Sequence, residues 1–316
     1  MYPRVSPLIP ALPAGDDGQG FPERSAEASA VKLCTFRAGD GPPRAGAWTE
    51  RGIVDLAEAD ATLPASLLEL LRLGEAGLDR ARSAAAAGPA RARERVTLLP
   101  PIPQPSKIVC IGLNYRDHAA EVNLPLPEYL TVFAKWPNTL IGDGAAIVIP
   151  AESHRVDYEA ELAFVVGRPA RHVAEADAFA YIAGYTCLND VSVRDYQSRT
   201  SQWTLGKVFD THGPCGPVLV TPDEIPDPQA LRIECSIDGE RLQDSSTSQM
   251  VFGVARILAE LSAVMTLEPG DLVATGTPAG VGTSRSPRRW IRPGERVRVS
   301  IERIGVLENP AVAASA

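Results

Sequence analysis

Asp157-Tyr158-Glu159-Ala160-Glu161-Leu162-Ala163-Phe164-Val165-Val166-Gly167 opens on acidic residues and closes on an uninterrupted apolar run. Residues two apart on a strand share a face, so the stretch reads as a strand with Glu159 and Glu161 side by side at its entry. Outward from it, further β-branched and aromatic runs lie at 107–112, 130–135, 146–150, 184–190, 217–220, 231–238, 271–275 and 297–303. Helical patterns interrupt these runs without alternating with them: 175–181, a short turn after Asp190, and 254–267, where Pro269-Gly270 stops the chain. Too many strands follow one another directly for a doubly wound parallel sheet. The pattern predicts a mixed α+β fold on a curled or sandwiched sheet.

Upstream, 31–103 predicts a small N-terminal α/β module: strands near 31–37 and 52–56, a helix over 64–95 with Gly88-Pro89 breaking it, and a Pro-rich linker at 100–103. Residues 1–30, rich in Pro, Gly, Ala and acids, predict a disordered tail. The catalytic part would then occupy 104–316.

Composition narrows the partners. The 316 residues carry 31 Lys+Arg against 39 Asp+Glu, a net charge of −8, which disfavours nucleic acid and anionic membranes. The run 162–167 is far short of the ~20 apolar residues a membrane helix needs. Five cysteines without a C-x-x-C pair argue against zinc and against a disulfide framework. Met1 to Gly20 holds Asp16 and Asp17 and no apolar core of a signal peptide, so the expected compartment is the cytoplasm.

Four further segments carry chemistry. Two like charges as close as Glu159 and Glu161 repel, and a hard divalent cation relieves them; a wet strand edge is the competing reading. Asp190 ends the strand 184–190 and is placed either to complete a three-carboxylate site or to cap a helix. Lys207 adds one cation for a substrate carboxylate or a developing enolate, or is an ordinary surface lysine. His118 and Glu121 stand at i, i+3, the spacing of a His oriented by a carboxylate for general-base work, or of a structural pair. The run 271–282 is a strand entering a Gly-rich loop without a phosphate-binding signature, where backbone amides and the Thr277 hydroxyl can hold a carboxylate or simply form a turn.

In order along the chain, Gly-x-Asn-Tyr-x-x-His-x-x-Glu, Glu-x-Glu-Leu, Asn-Asp-x-Ser-x-Arg-Asp, Gly-Lys-x-x-Asp and Thr-Gly-Thr-Pro-x-Gly-Val-Gly resemble the fumarylacetoacetate hydrolase family, from about residue 106 to 309. The resemblance implies a mixed β-sandwich roll, an Mg²⁺ or Mn²⁺ site, a homodimer and small 2-oxo or β-diketo acid substrates. Glu159, Glu161 and Asp190 then resemble the metal ligands, Lys207 the active-site lysine, and His118 with Glu121 a dyad on a mobile lid. Thr277, Arg194, Gln197 and Tyr115 fall at substrate-facing positions. Phe133-Ala-Lys135-Trp136 departs from the Lys-Pro of many relatives and bears on pocket shape. The implied reaction is metal-dependent hydrolysis of a C–C bond in an acylpyruvate or fumarylpyruvate. Decarboxylation or isomerisation of an oxaloacetate-like diacid or hydroxymuconate-type enol acid is the alternative, and a catalytically silent metal-binding member the third.

Overall fold

The computed structural model describes residues 31–315, so the tail expected over 1–30 lies outside the described residues. The strand Ala160–Val166 sits near the middle of a large mixed sheet, paired antiparallel with Ile182–Asn189 and with Leu272–Ala274. Leu272–Ala274 pairs in parallel with Ile108–Gly112, and Thr131–Lys135 forms the sheet edge beyond that. On the other side, Ile182–Asn189 pairs with Gly213–Val220. A second sheet of five strands contains Glu240–Ser246, Arg232–Ile237, Arg296–Ile301, Gly305–Ala313 and Ile147–Ile149.

Alternation along Ala160–Val166 explains why both faces of this strand are buried. Leu162, Phe164 and Val166 point into a core shared with Ile233, Cys235, Val297, Val299 and Leu307 of the smaller sheet. Ala163 and Val165 point the other way, into a second core with Leu56, Leu67 and Leu70. The two sheets and these helices thus make the mixed α+β sandwich expected from the strand pattern.

The N-terminal module is less separate than the Pro-rich linker suggests. Its strand Lys32–Ala38 joins the large sheet, with Lys32 opposite Val220 and Leu33 opposite Leu219. Ile102 of the linker is buried, and the Thr35 hydroxyl donates to the Pro101 carbonyl at 2.6 Å. Residues on both sides of the expected boundary near 103 therefore share one sheet and one core.

The single helix expected over 64–95 is instead Leu67–Arg72 and Gly74–Ala87, preceded by a short turn at Leu56–Ala59. Gly74 interrupts it with φ +62°, a left-handed conformation that glycine adopts without strain. The segment 175–181 is helical but as a tighter 3₁₀ turn, Glu175–Tyr181, and the last helix is Val254–Val264. All five cysteines are free and buried. No helix among the described residues is long and apolar enough to cross a membrane.

Candidate metal and active site

Glu159 and Glu161 stand where the central strand begins, and the backbone N–H of Asp190 donates to the Glu159 carbonyl at 2.9 Å. That bond brings the end of Ile182–Asn189 to the two glutamates. One carboxylate oxygen from each of Glu159, Glu161 and Asp190 lies within 4.8 Å of the others, and all three residues are buried. The wet-edge reading of the glutamates fails for that reason. Asp190 caps no helix: the following turn, Arg194–Gln197, has Val193 at its N-cap position.

Cations surround the triad. Lys207 is 2% exposed, and its Nζ lies 2.8 Å from Glu159 Oε2 and 2.6 Å from Asp190 Oδ2, so it is no surface lysine. Lys135, likewise buried, contacts Asp190 Oδ1 at 2.8 Å and donates to the Lys207 carbonyl. Arg194 reaches Glu159 Oε1 at 2.7 Å and Asp157 Oδ2 at 2.8 Å. Gln197 accepts from the same guanidinium at 2.9 Å and so buttresses Arg194.

The three carboxylates are not equivalent. Burial pushes the Glu159 carboxyl up, but the Lys207 and Arg194 charges outweigh burial and hold it at about 2. Lys207 is pushed down by burial and raised on balance by Asp190 and Glu159. Glu161 has no lysine within ion-pair distance; burial, then the Asp190 and Glu159 charges, push it well above the usual carboxylate range. Its one hydrogen bond comes from the Gly276 N–H at 2.8 Å. A divalent cation held among the three would let Glu161 ionise, and an all-oxygen donor set suits a hard ion such as Mg²⁺ or Mn²⁺. The residues present fit that group.

His118 lies on the helix Arg116–Glu121, and its Nδ1 is 2.9 Å from Glu121 Oε2. The other carboxylate oxygen of Glu121 accepts from the Gly280 N–H at 2.8 Å, tying the helix to the Gly-rich loop. The loop that latches Glu121 at Gly280 also donates its Gly276 N–H to Glu161, so one loop ties the dyad to the triad. Asn114 anchors the helix from below: its amide donates to the Phe252 and Thr275 carbonyls and accepts from the Phe252 N–H. Removing that fully buried bracket in Asn114→Ala should cost about 2–4 kcal/mol, read from denaturant unfolding. A variant as stable as wild type would show that the bracket is dispensable.

Two of the expected substrate-facing residues sit deep in the protein. The Thr277 hydroxyl donates to the Ala160 carbonyl at 2.9 Å and accepts from the Gln243 amide at 2.8 Å, so its hydrogen is committed within the protein. Thr277 thus pins the loop to the central strand. Tyr115 is fully buried in the core, and its hydroxyl has no hydrogen-bond partner among the described residues. His212 is a structural histidine: buried, with Nε2 2.9 Å from the Val148 carbonyl and burial lowering its pKa to about 4.

Lys135 and Asp157 are the site residues that motif reading missed. Lys135 ends the strand Thr131–Lys135, whose outer residues alternate toward solvent, and only its last position turns inward. The signal was the lysine inside Phe133-Ala-Lys135-Trp136, read as a matter of pocket shape.

With this geometry in place, the pattern for the fumarylacetoacetate (FAA) hydrolase C-terminal domain matches residues 107–312. The chain belongs to the fumarylacetoacetate hydrolase family. Across 291 residues it is 43% identical to a protein of Xenopus laevis named oxaloacetate tautomerase fahd2, mitochondrial, covering 90% of this chain and 91% of that one. A fumarylacetoacetate hydrolase from Exiguobacterium antarcticum superposes with a TM-score of 0.79 at 36% identity, covering 90% of this chain and all of that one. A maleylpyruvate hydrolase from Sphingobium, solved with manganese(II) and pyruvate, gives 0.77 at 30% identity, again over 90% of this chain and all of that one. Family members are thus enzymes of more than one reaction type.

Proposed function

We propose that the protein is a divalent-metal-dependent enzyme that interconverts the enol and keto forms of a small 2-oxo diacid of the oxaloacetate type. The observation that carries this reading is the His118–Glu121 dyad, one proton carrier latched to the same Gly-rich loop that hydrogen-bonds Glu161 of the buried triad. The Xenopus relative's name supports it at the level of substrate and reaction. The reading therefore favours the isomerase alternative over C–C hydrolysis.

Charge supports a dianion. Asp157, Glu159, Glu161 and Asp190 face Lys135, Lys207 and Arg194, four acids against three bases. With Glu161 ionised beside a bound divalent ion these charges would come to a net of one positive, and the ion would supply Lewis-acid stabilisation of an enolate oxygen. Lys207 and Arg194 hold the anionic substrate beside it. Glu121 accepts from His118 Nδ1–H, which leaves Nε2 free to move a proton. In tautomerisation one proton leaves the enol oxygen and one is delivered to the neighbouring carbon, with His118 Nε2 as the carrier. The lid helix, latched to Gly280, keeps bulk water out of that exchange.

A second reading rests on the same dyad. With a water seated beside His118 Nε2, deprotonation of that water would start hydrolysis of an acylpyruvate or fumarylpyruvate. The two are separated by offering the Mn²⁺-loaded protein enol-oxaloacetate, acetylpyruvate, fumarylpyruvate and a hydroxymuconate-type dienoate. Rapid ketonisation of oxaloacetate with slow cleavage of the diketo acids is expected; fast cleavage with no acceleration of ketonisation would put hydrolysis first.

We also propose a homodimer. Thr131–Lys135 is the last strand of the large sheet, and the exposed side chains of Tyr129, Val132 and Trp136 cluster around it. Light scattering should give twice the chain mass for wild type and a smaller particle for Trp136→Lys; a wild-type monomer would end this proposal. The five unpaired thiols favour a reducing compartment, which the cytoplasm and the mitochondrial interior both are.

A further inference from the structure

Asp157 is fully buried and stands outside the carboxylate triad, yet all its acceptor positions are filled. Oδ1 accepts from the Tyr158 N–H at 2.9 Å and the Gly282 N–H at 2.7 Å. Oδ2 accepts from the Thr283 N–H at 2.9 Å and from Arg194 Nε at 2.8 Å. Side chain and loop are in close contact: a Cβ on Gly282 would come within 2.6 Å of Asp157 Oδ1.

The consequence shows at Arg194. Its Nε is held by Asp157, and its Nη1 by Glu159 and Gln197. Its Nη2 is buried and has no partner among the described residues. A buried charged donor without an acceptor is costly, and a ligand carboxylate is the group that would satisfy it. The loop fixed by Gly282 and Thr283 is also the one whose Gly280 N–H receives Glu121 of the lid.

We propose that Asp157 is a positioning residue with two attachments. It sets the Arg194 fork so that Nη2 faces the ligand, and it holds the loop on which the lid helix closes. The proposal deepens the function above and rests on its claim that Arg194 meets a carboxylate-bearing ligand. Asp157 touches no reacting atom and acts through Arg194 and through Gly282 and Thr283.

The test is a double-mutant cycle on the full chain loaded with Mn²⁺, read as the affinity for oxalate, an unreactive dianion, by calorimetry. Asp157→Asn and Arg194→Gln should each weaken oxalate roughly 10–100-fold. The double variant should fall well short of the sum of the two single penalties, and Mn²⁺ without oxalate should still bind all four proteins. Amide exchange across 116–121 should speed up in Asp157→Asn and stay unchanged in Arg194→Gln. Additive penalties, or wild-type oxalate affinity in Asp157→Asn, would overturn the proposal. Should Asp157→Asn fail to fold, Arg194→Lys decides: a lysine has no fork to be aimed, so oxalate binding must stay weak, and recovery to the wild-type value refutes the positioning role. Oxaloacetate turnover by the wild-type protein tests the underlying reading separately.

Discussion

His118→Ala should lose about 10²–10⁴-fold in kcat on oxaloacetate ketonisation, the usual cost of removing a general acid–base group. Metal binding should survive, because His118 is not one of the three oxygen donors. Glu121→Gln should lose less activity yet loosen the lid. Its amide keeps an oxygen for the Gly280 N–H or for His118, but cannot supply a carboxylate oxygen to both. Stopped-flow absorbance of the enol band reads both variants at saturating Mn²⁺. A His118→Ala protein with near wild-type kcat would remove the dyad from the chemistry and leave it a structural pair.

Lys135→Met should be the most damaging change to stability. Asp190 is held from both sides, with Lys207 on Oδ2 and Lys135 on Oδ1, and neither lysine head nor carboxylate sees solvent. Deleting Lys135 leaves buried Asp190 sharing Lys207 with Glu159, and removing one partner from a buried charge cluster costs about 3–5 kcal/mol. The Lys135 contact to the Lys207 carbonyl would be lost as well, loosening the turn Thr204–Lys207 that carries the other lysine. Urea unfolding of the metal-free protein measures the first effect. Addition of Mn²⁺ should restore part of the loss, since a cation then faces Asp190. Unchanged stability would mean that Lys135 is not a structural partner of Asp190.

What sequence reading could and could not reach follows from the range of each interaction. Glu159 and Glu161 were legible because a strand repeats every two residues, and the apolar run after them marks entry into the core. Asp190 was legible as a strand end, though its pairing with the Glu159 carbonyl needed the fold. Lys135 was not legible: a lysine closing a half-exposed strand has the same local signature as any surface lysine, and its partner lies 55 residues away. Thr277 looked free because its two partners, Ala160 and Gln243, are 117 and 34 residues distant. The joining of Lys32–Ala38 to Gly213–Val220 was hidden for the same reason, since a Pro-rich stretch signals a linker whether or not the strands before it find a distant partner.

The rate of enol-to-keto conversion of oxaloacetate, followed with the wild-type protein before and after chelation and again after Mn²⁺ is restored, tests the central claim most directly. Strong acceleration with metal is expected, with loss on chelation, the fold retained by circular dichroism, and recovery on readdition. Glu161→Ala should not recover, because the triad is then incomplete. Full catalysis by the chelated protein, or by Glu161→Ala, would contradict the assignment of Glu159, Glu161 and Asp190 as the metal site on which the activity depends.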